Sequence, residues 1–294
     1  MNRRSLLSLA GAMLGVLCAI AFSAIALADD GGQPSFTEEF HHSYPLAAGG
    51  SFALKNISGR IKVVGWDKNQ VQVDAVKRAW TEKKLQEVTI EVDATADRVA
   101  VATRYPDDDL TWHNSDCENP DSRCRQNPAS VTYTISVPRT ARLDKISNIN
   151  GPIDITGVAG EVRASDVNGQ VTATGLRGPA DLSTVNGRLE ATFEAVPKEA
   201  LNLRSVNGTV AVTLPSDASL EVRAHTLNGS IRNDWNVPVR HGRFVGHDLQ
   251  ARFANGGSEL KLHNVNGGIS IRHANDGKPL SPATNLLVDK TAMF

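Results

Sequence analysis

What most constrains this chain is that it repeats itself. Six segments read alike: Asn148-Ile-Asn-Gly-Pro-Ile-Asp-Ile155, Asp166-Val-Asn-Gly-Gln-Val-Thr-Ala173, Thr184-Val-Asn-Gly-Arg-Leu-Glu-Ala191, Ser205-Val-Asn-Gly-Thr-Val-Ala-Val212, Thr226-Leu-Asn-Gly-Ser-Ile-Arg-Asn233 and Asn264-Val-Asn-Gly-Gly-Ile-Ser-Ile271. A weaker seventh copy is Asn56-Ile-Ser-Gly-Arg-Ile-Lys-Val63. The glycines of the first five are spaced 18, 18, 21 and 21 residues apart, and Gly267 follows 38 later, close to two further periods. A unit this short cannot bury an apolar face alone, so a period near 20 implies units that stack.

Aligned on their Asn-Gly, the copies show four apolar rows. Four residues before the asparagine stand Ile146, Ala164, Leu182, Leu203, Ala224 and Leu262; two earlier stand Val162, Ala180, Leu201, Val222 and Leu260. Immediately before it come Ile149, Val167, Val185, Val206, Leu227 and Val265, and three after it Ile153, Val171, Leu189, Val210, Ile231 and Ile269. Alternation at period two on each side marks two short strands, each with a buried face. The corners between them are Asn150-Gly151, Asn168-Gly169, Asn186-Gly187, Asn207-Gly208, Asn228-Gly229 and Asn266-Gly267, where both residue types tolerate positive φ. Asn-Gly between alternating segments also suits a run of antiparallel hairpins. The constancy of the inward rows favours parallel stacking, with units about 4.8 Å apart. The expected fold is therefore all-β, a parallel β-solenoid or β-helix-like stack. Two before the asparagine, Asn148, Asp166, Thr184, Ser205, Thr226 and Asn264 are small and polar, the chemistry of side chains that bond local backbone at a bend.

Residues 36–140 read as an irregular β part and 141–274 as the regular repeats of one domain spanning 29–274, with 275–294 a tail or cap. Only Thr81 to Glu87 has a helical pattern, and the period lapses from Trp235 to Asn255, as a degraded unit or an inserted loop. Residues 1–28 have the form of a secretory signal peptide: Arg3 and Arg4, an apolar run from Leu6, and Ala26-Leu27-Ala28 before Asp29. Retention as an anchor is the rival reading. Lipidation at Cys18 is disfavoured because Leu17 stands where a small residue is needed. With cleavage no membrane span remains, and the protein is exported to the periplasm, the cell surface or beyond.

The whole chain has 31 Lys and Arg against 32 Asp and Glu; loss of Arg3 and Arg4 leaves 29 basic side chains and a small negative balance. Nucleic acid is excluded as a partner on that ground, since phosphate binding needs clustered positive charge. Cys117 and Cys124 lie in a polar, proline-bearing loop, and in an oxidising compartment a local disulfide is expected. A zinc pair would need further ligands, and His113 alone is near. Asp107-Asp-Asp109 lacks the glycine-punctuated pattern of a calcium loop. The histidines, including His41-His42 and the outward pair His225 and His263, show no metal-site spacing. No metal, cofactor or catalytic residue is expected.

The chain resembles a bacterial family of envelope proteins known as putative adhesins. The likeness rests on the recurrent Val-Asn-Gly-x-Val-x-Ala unit, on Gly50-Ser-Phe-Ala-Leu-Lys-Asn-Ile-Ser-Gly-Arg-Ile-Lys-Val-Val-Gly-Trp66 followed by Asp67, and on Val71-Gln-Val-Asp-Ala75, and it covers most of residues 40–273. It implies a β-solenoid shape and surface binding, and carries no ligand residues. The rival is a carbohydrate-active lyase or hydrolase on a β-helix, which would use clustered carboxylates. Asp154 and Glu190 are the nearest candidates, but two units put them about 10 Å apart, too wide for a retaining pair. The expected function is non-catalytic binding or scaffolding at the cell envelope. An envelope protein, a glycan or a matrix component would be the partner, with the loop 104–130 contributing specificity.

Overall fold

The computed structural model describes residues 34, 36–106, 129–242 and 245–287. The signal segment, Asp107–Asp109, Cys117 and Cys124 lie outside the described residues. From the amino end the strands are β1 (Phe36–Pro45), β2 (Ser51–Lys55), β3 (Ile61–Trp66), β4 (Gln70–Ala79), β5 (Thr89–Ala94), β6 (Arg98–Arg104) and β7 (Ser130–Pro138). Then come β8 (Arg142–Asn150), β9 (Ile153–Thr156), β10 (Val162–Asn168), β11 (Val171–Leu176), β12 (Ala180–Asn186), β13 (Leu189–Phe193), β14 (Leu201–Asn207) and β15 (Val210–Leu214). The last are β16 (Leu220–Asn228), β17 (Ile231–Asn233), β18 (Arg240–His241), β19 (His247–Phe253), β20 (Ser258–Asn266), β21 (Ile269–His273) and β22 (Ala283–Asn285). One helical turn, α1 (Glu82–Gln86), begins where Thr81 accepts a hydrogen bond from the Lys84 N–H as its N-cap.

The fold is all-β, in two large mixed sheets. Sheet A runs β1-β4-β7-β3-β9-β11-β13-β15-β21-β17, and sheet B runs β18-β19-β16-β20-β14-β12-β10-β8-β2-β6-β5, with β22 on the same side of β19 as β18. Each repeat unit contributes its first strand to B and its second to A. Neighbouring units are parallel, with the corner asparagines opposite one another: Asn150 to Asn168, Asn168 to Asn186, and Asn186 to Asn207. Hairpin pairing between the two strands of a unit is therefore not what the Asn-Gly produces.

Eight two-strand units stack in the order β6/β7, β2/β3, β8/β9, β10/β11, β12/β13, β14/β15, β20/β21 and β16/β17. This order departs from the chain order twice. At the first end β6 and β7 make a unit outside β2/β3, with Arg104 and Ser130 at the row of corners. At the other end β16/β17 is outermost, and the chain folds back through antiparallel β19 before β20/β21 enters between β14/β15 and β16/β17. That reversal accounts for the 38-residue interval between Gly229 and Gly267 and for the lapsed period.

The core is the space between the sheets. Three of the four apolar rows fill it: Leu182, Leu203, Leu201, Leu260, Leu189 and Val210 are each 0% exposed. Small Ala164, Ala180 and Ala224 are buried in the same rows, and the largest buried rings are Tyr133, Phe52, Phe193 and Phe253. The fourth row does not go inside. Ile149, Val167, Val185, Val206 and Leu227 are 38% to 41% exposed. Strand parity explains the correction: the residue before the asparagine is an odd number of positions from the inward rows and must face out with the charged ones. Inside, its place is taken by the small polar row, where Asn148, Asp166, Thr184, Ser205, Thr226 and Asn264 are all at most 3% exposed.

Candidate functional site: the corner rows

Where the first strand of each unit ends, three rows run side by side along the stack. The innermost is the bend row, which the pairing extends to all eight units as Thr103, Asn56, Asn148, Asp166, Thr184, Ser205, Asn264 and Thr226. Four of these side chains bond corner carbonyls along the stack. Asn148 Nδ2 donates to Gly59 O and Gly151 O, both at 2.8 Å; Thr184 Oγ1 to Gly169 O at 3.1 Å; Asn264 Nδ2 to Gly208 O at 2.8 Å; and Thr226 Oγ1 to Gly267 O at 2.9 Å. At the first end Asn56 Nδ2 donates to Val131 O, and Thr103 Oγ1 donates to Asn56 Oδ1 and lies 2.7 Å from the Tyr133 hydroxyl. Ser205 Oγ is buried without a hydrogen-bond partner among the described residues, and Asp166 departs furthest from the pattern. Both of its carboxylate oxygens are buried without a hydrogen-bond partner among the described residues, and burial pushes its pKa from 3.8 up to about 7, opposed only by the Val167 amide.

The corner glycines are required by proximity. At Gly187, φ is +153°, and an added Cβ would run into the Gly169 carbonyl of the next unit; Gly208 meets Gly187 in the same way. The asparagines need no such latitude. Among the described residues the only non-glycine positive φ values are at Asn236 and Ala254, so positive φ is not why asparagine stands at these corners. Its use is lateral. Asn168 Nδ2 donates to Asn150 Oδ1 at 3.0 Å, Asn186 to Asn168 at 2.9 Å, Asn207 to Asn186 at 3.0 Å, Asn266 to Asn207 at 2.8 Å and Asn228 to Asn266 at 3.0 Å. Six amides thus form one continuous row at the surface, a structure that needs identical residues in register and that the sequence alignment already contained as its most constant column.

Beside the amides runs the outward apolar row from Ile149 to Leu227, with half-buried Val265 between Val206 and Leu227. A shallow trough of 440 Å³ follows it, flanked on the sheet side by Ser165, Ser183, Arg204 and His263. The face therefore offers aliphatic contact one residue wide, an amide rail on one side and hydroxyl, guanidinium and imidazole groups on the other. Such a surface can hold an extended partner by many repeated weak contacts.

The other candidates are dispersed or neutralised. Asp154 pairs with Arg60 at 2.7 Å, and Glu190 lies 3.8 Å from Arg188 and 4.0 Å from Arg272, both on the outside of sheet A. His225 and His263 stack at 5.5 Å, and His225 Nδ1 lies 2.8 Å from Asp248; among the described residues no three His, Cys, Asp or Glu side chains converge as metal ligands. His41 sits between Asp74 and Glu39, whose hydrogen bonds raise its pKa. Among the described residues no helix is long and apolar enough to cross a membrane.

No protein-family model matches the chain, and none of the curated proteins matches it. Among solved structures it is similar to a putative cell adhesion protein from Clostridium sporogenes ATCC 15579, at 11% identity and a TM-score of 0.44, covering 81% of this chain and 100% of that one. It is also similar to a putative adhesin from Bacteroides fragilis NCTC 9343, at 12% identity and a TM-score of 0.24, covering 83% of this chain and 100% of that one.

Proposed function

We propose that this chain is a non-catalytic, exported binding or scaffold protein of the bacterial cell envelope, built as a two-sheet β-solenoid whose corner rows are the binding face. The observation that carries this reading is the outward apolar row: five aliphatic side chains, each more than a third exposed, beside an unbroken run of amides. Exposed apolar rows on a rigid scaffold carry a cost in solubility and are characteristic of contact surfaces. The partner is an envelope protein, a glycan or a matrix component. The absence of catalysis is part of the proposal, supported by the ion pairs that occupy the outward acids.

A photo-cross-linking residue at Val185 in intact cells tests the face, with one at Thr172 on the outside of sheet A as the comparison. Recovery of a defined envelope component from position 185 and not from 172 is the expected result. Equal capture at both positions, or capture at neither, removes the corner rows from the function.

A further inference from the structure

The dipeptide that builds each corner is also chemically reactive, and the stack protects its copies unequally. An Asn-Gly peptide can close on itself, because glycine has no side chain to keep its nitrogen from the preceding amide carbon. The chain has seven described copies, the six corners and Asn255-Gly256. At five corners the glycine N–H is held by the next unit: Gly151 donates to Asn168 O at 3.1 Å, Gly169 to Asn186 O at 3.1 Å, Gly187 to Asn207 O at 2.9 Å, Gly208 to Asn266 O at 3.0 Å and Gly267 to Asn228 O at 2.8 Å. Gly256 donates to Phe253 O at 3.0 Å within its own turn. Gly229 belongs to the last unit. The strand beyond it, β19, pairs with β16 only from Leu220 to Thr226, so among the described residues no carbonyl receives the Gly229 N–H. Asn228 is likewise the end of the amide row: its Nδ2 donates to Asn266, its Oδ1 receives nothing from a further asparagine, and its side chain is exposed.

We propose that Asn228-Gly229 is a self-modification site, converting to aspartate or isoaspartate in the folded protein while the other corners stay intact. The Gly229 nitrogen forms a bond to Asn228 Cγ, and the Cγ–Nδ2 bond breaks. The proton from the glycine nitrogen leaves with the side-chain nitrogen as ammonia. Water then opens the resulting succinimide at either carbonyl, giving aspartate or, with one more carbon in the main chain, isoaspartate. Nothing is oxidised or reduced, and water is the only co-reactant. At the locked corners the glycine N–H is donated to a neighbouring carbonyl, so reaction there waits for local opening. Conversion at Asn228 replaces the donor to Asn266 with a carboxylate that only accepts, shortening the amide row by one member.

The test follows the full chain, folded, through incubation at mildly alkaline pH, with peptide mass spectrometry resolving asparagine, aspartate and isoaspartate at all seven sites. The same protein in denaturant runs alongside. In denaturant all seven are expected to convert at similar rates, whereas in the folded protein Asn228 leads the other six by about ten-fold or more, the ratio expected when they react only through opened states. Equal rates across the folded corners, a faster Asn255, or a persistent amide at Asn228 while other sites convert would each overturn the proposal.

Discussion

In the bend row seven of eight side chains can donate a hydrogen bond when uncharged, and Asp166 is the one that must be protonated to do so. A side chain on Gly169 would strike both Asp166 Oδ2 and the Gly151 carbonyl, which places two acceptors close together with no donor between them. The folded state therefore holds its proton near pH 7, where the unfolded chain, at 3.8, has already lost it. Stability from this group is fully present below about pH 4, falls as the pH rises towards 7 and is flat above; a displacement of about three pH units corresponds to an upper limit on the order of 4 kcal/mol. Asp166→Asn restores a donor of the kind seen at Asn148 and Asn264. It is expected to raise the melting temperature at pH 8 and to leave it little changed at pH 4. Thermal melts of the two proteins across that range check it, and an equal fall in both would show that Asp166 carries no such linkage.

At the scale of strands, order within the stack is the property least determined by local sequence. The inward side chains of β14, β16 and β20 are Leu201, Leu203 and Ser205, then Val222, Ala224 and Thr226, then Leu260, Leu262 and Asn264. Each triplet is two apolar residues followed by a small polar one, so residue type does not set their order. What fixes β16 outermost is the return through β19, which the lapsed period from Trp235 to Asn255 conceals. The order has a direct check. Cysteines at Asn202 and Lys261, a register pair, are expected to form a disulfide on oxidation. Cysteines at Asn202 and Arg223, two units or about 10 Å apart, are expected to stay reduced, since bridged Cα atoms lie within about 7 Å. The reverse pattern would restore chain order. Much else was legible. The three inward rows, the bend row and the helical turn after Thr81 can all be read from spacing, and parity alone would have turned the valine row outward. Its apolar character points inward only where side-chain type is set above position. The β6/β7 unit carries no repeat signal in the sequence, because 25 residues separate Arg104 from Ser130 and no Asn-Gly lies among them.

Across the whole molecule, each unit pairs its strands only with its neighbours, the long Glu190–Arg272 pair reaching two units, so protection from solvent should be graded along the stack. Among the described residues, antiparallel strands close three of the four ends of the stacked sheets: β4 and β1 in sheet A and β5 in sheet B at one end, and β19 with β18 and β22 in sheet B at the other. The remaining edge is β17, three residues long. Hydrogen exchange is expected to be slowest in β10 to β15 and fastest, among the repeat strands, in β17 and the Asn228 corner. Uniform protection across the units would show that the stack opens as one body. The amide row adds a property that none of its members has alone. All five side-chain bonds point the same way, each Nδ2 towards the unit nearer the β2/β3 end. Head-to-tail amides polarise one another, so the row is a vector, with an N–H at Asn150 and a carbonyl at Asn228 that no further asparagine of the row meets. A filament laid along it would meet a one-way track, and the two directions of approach would differ in energy although every rung is the same.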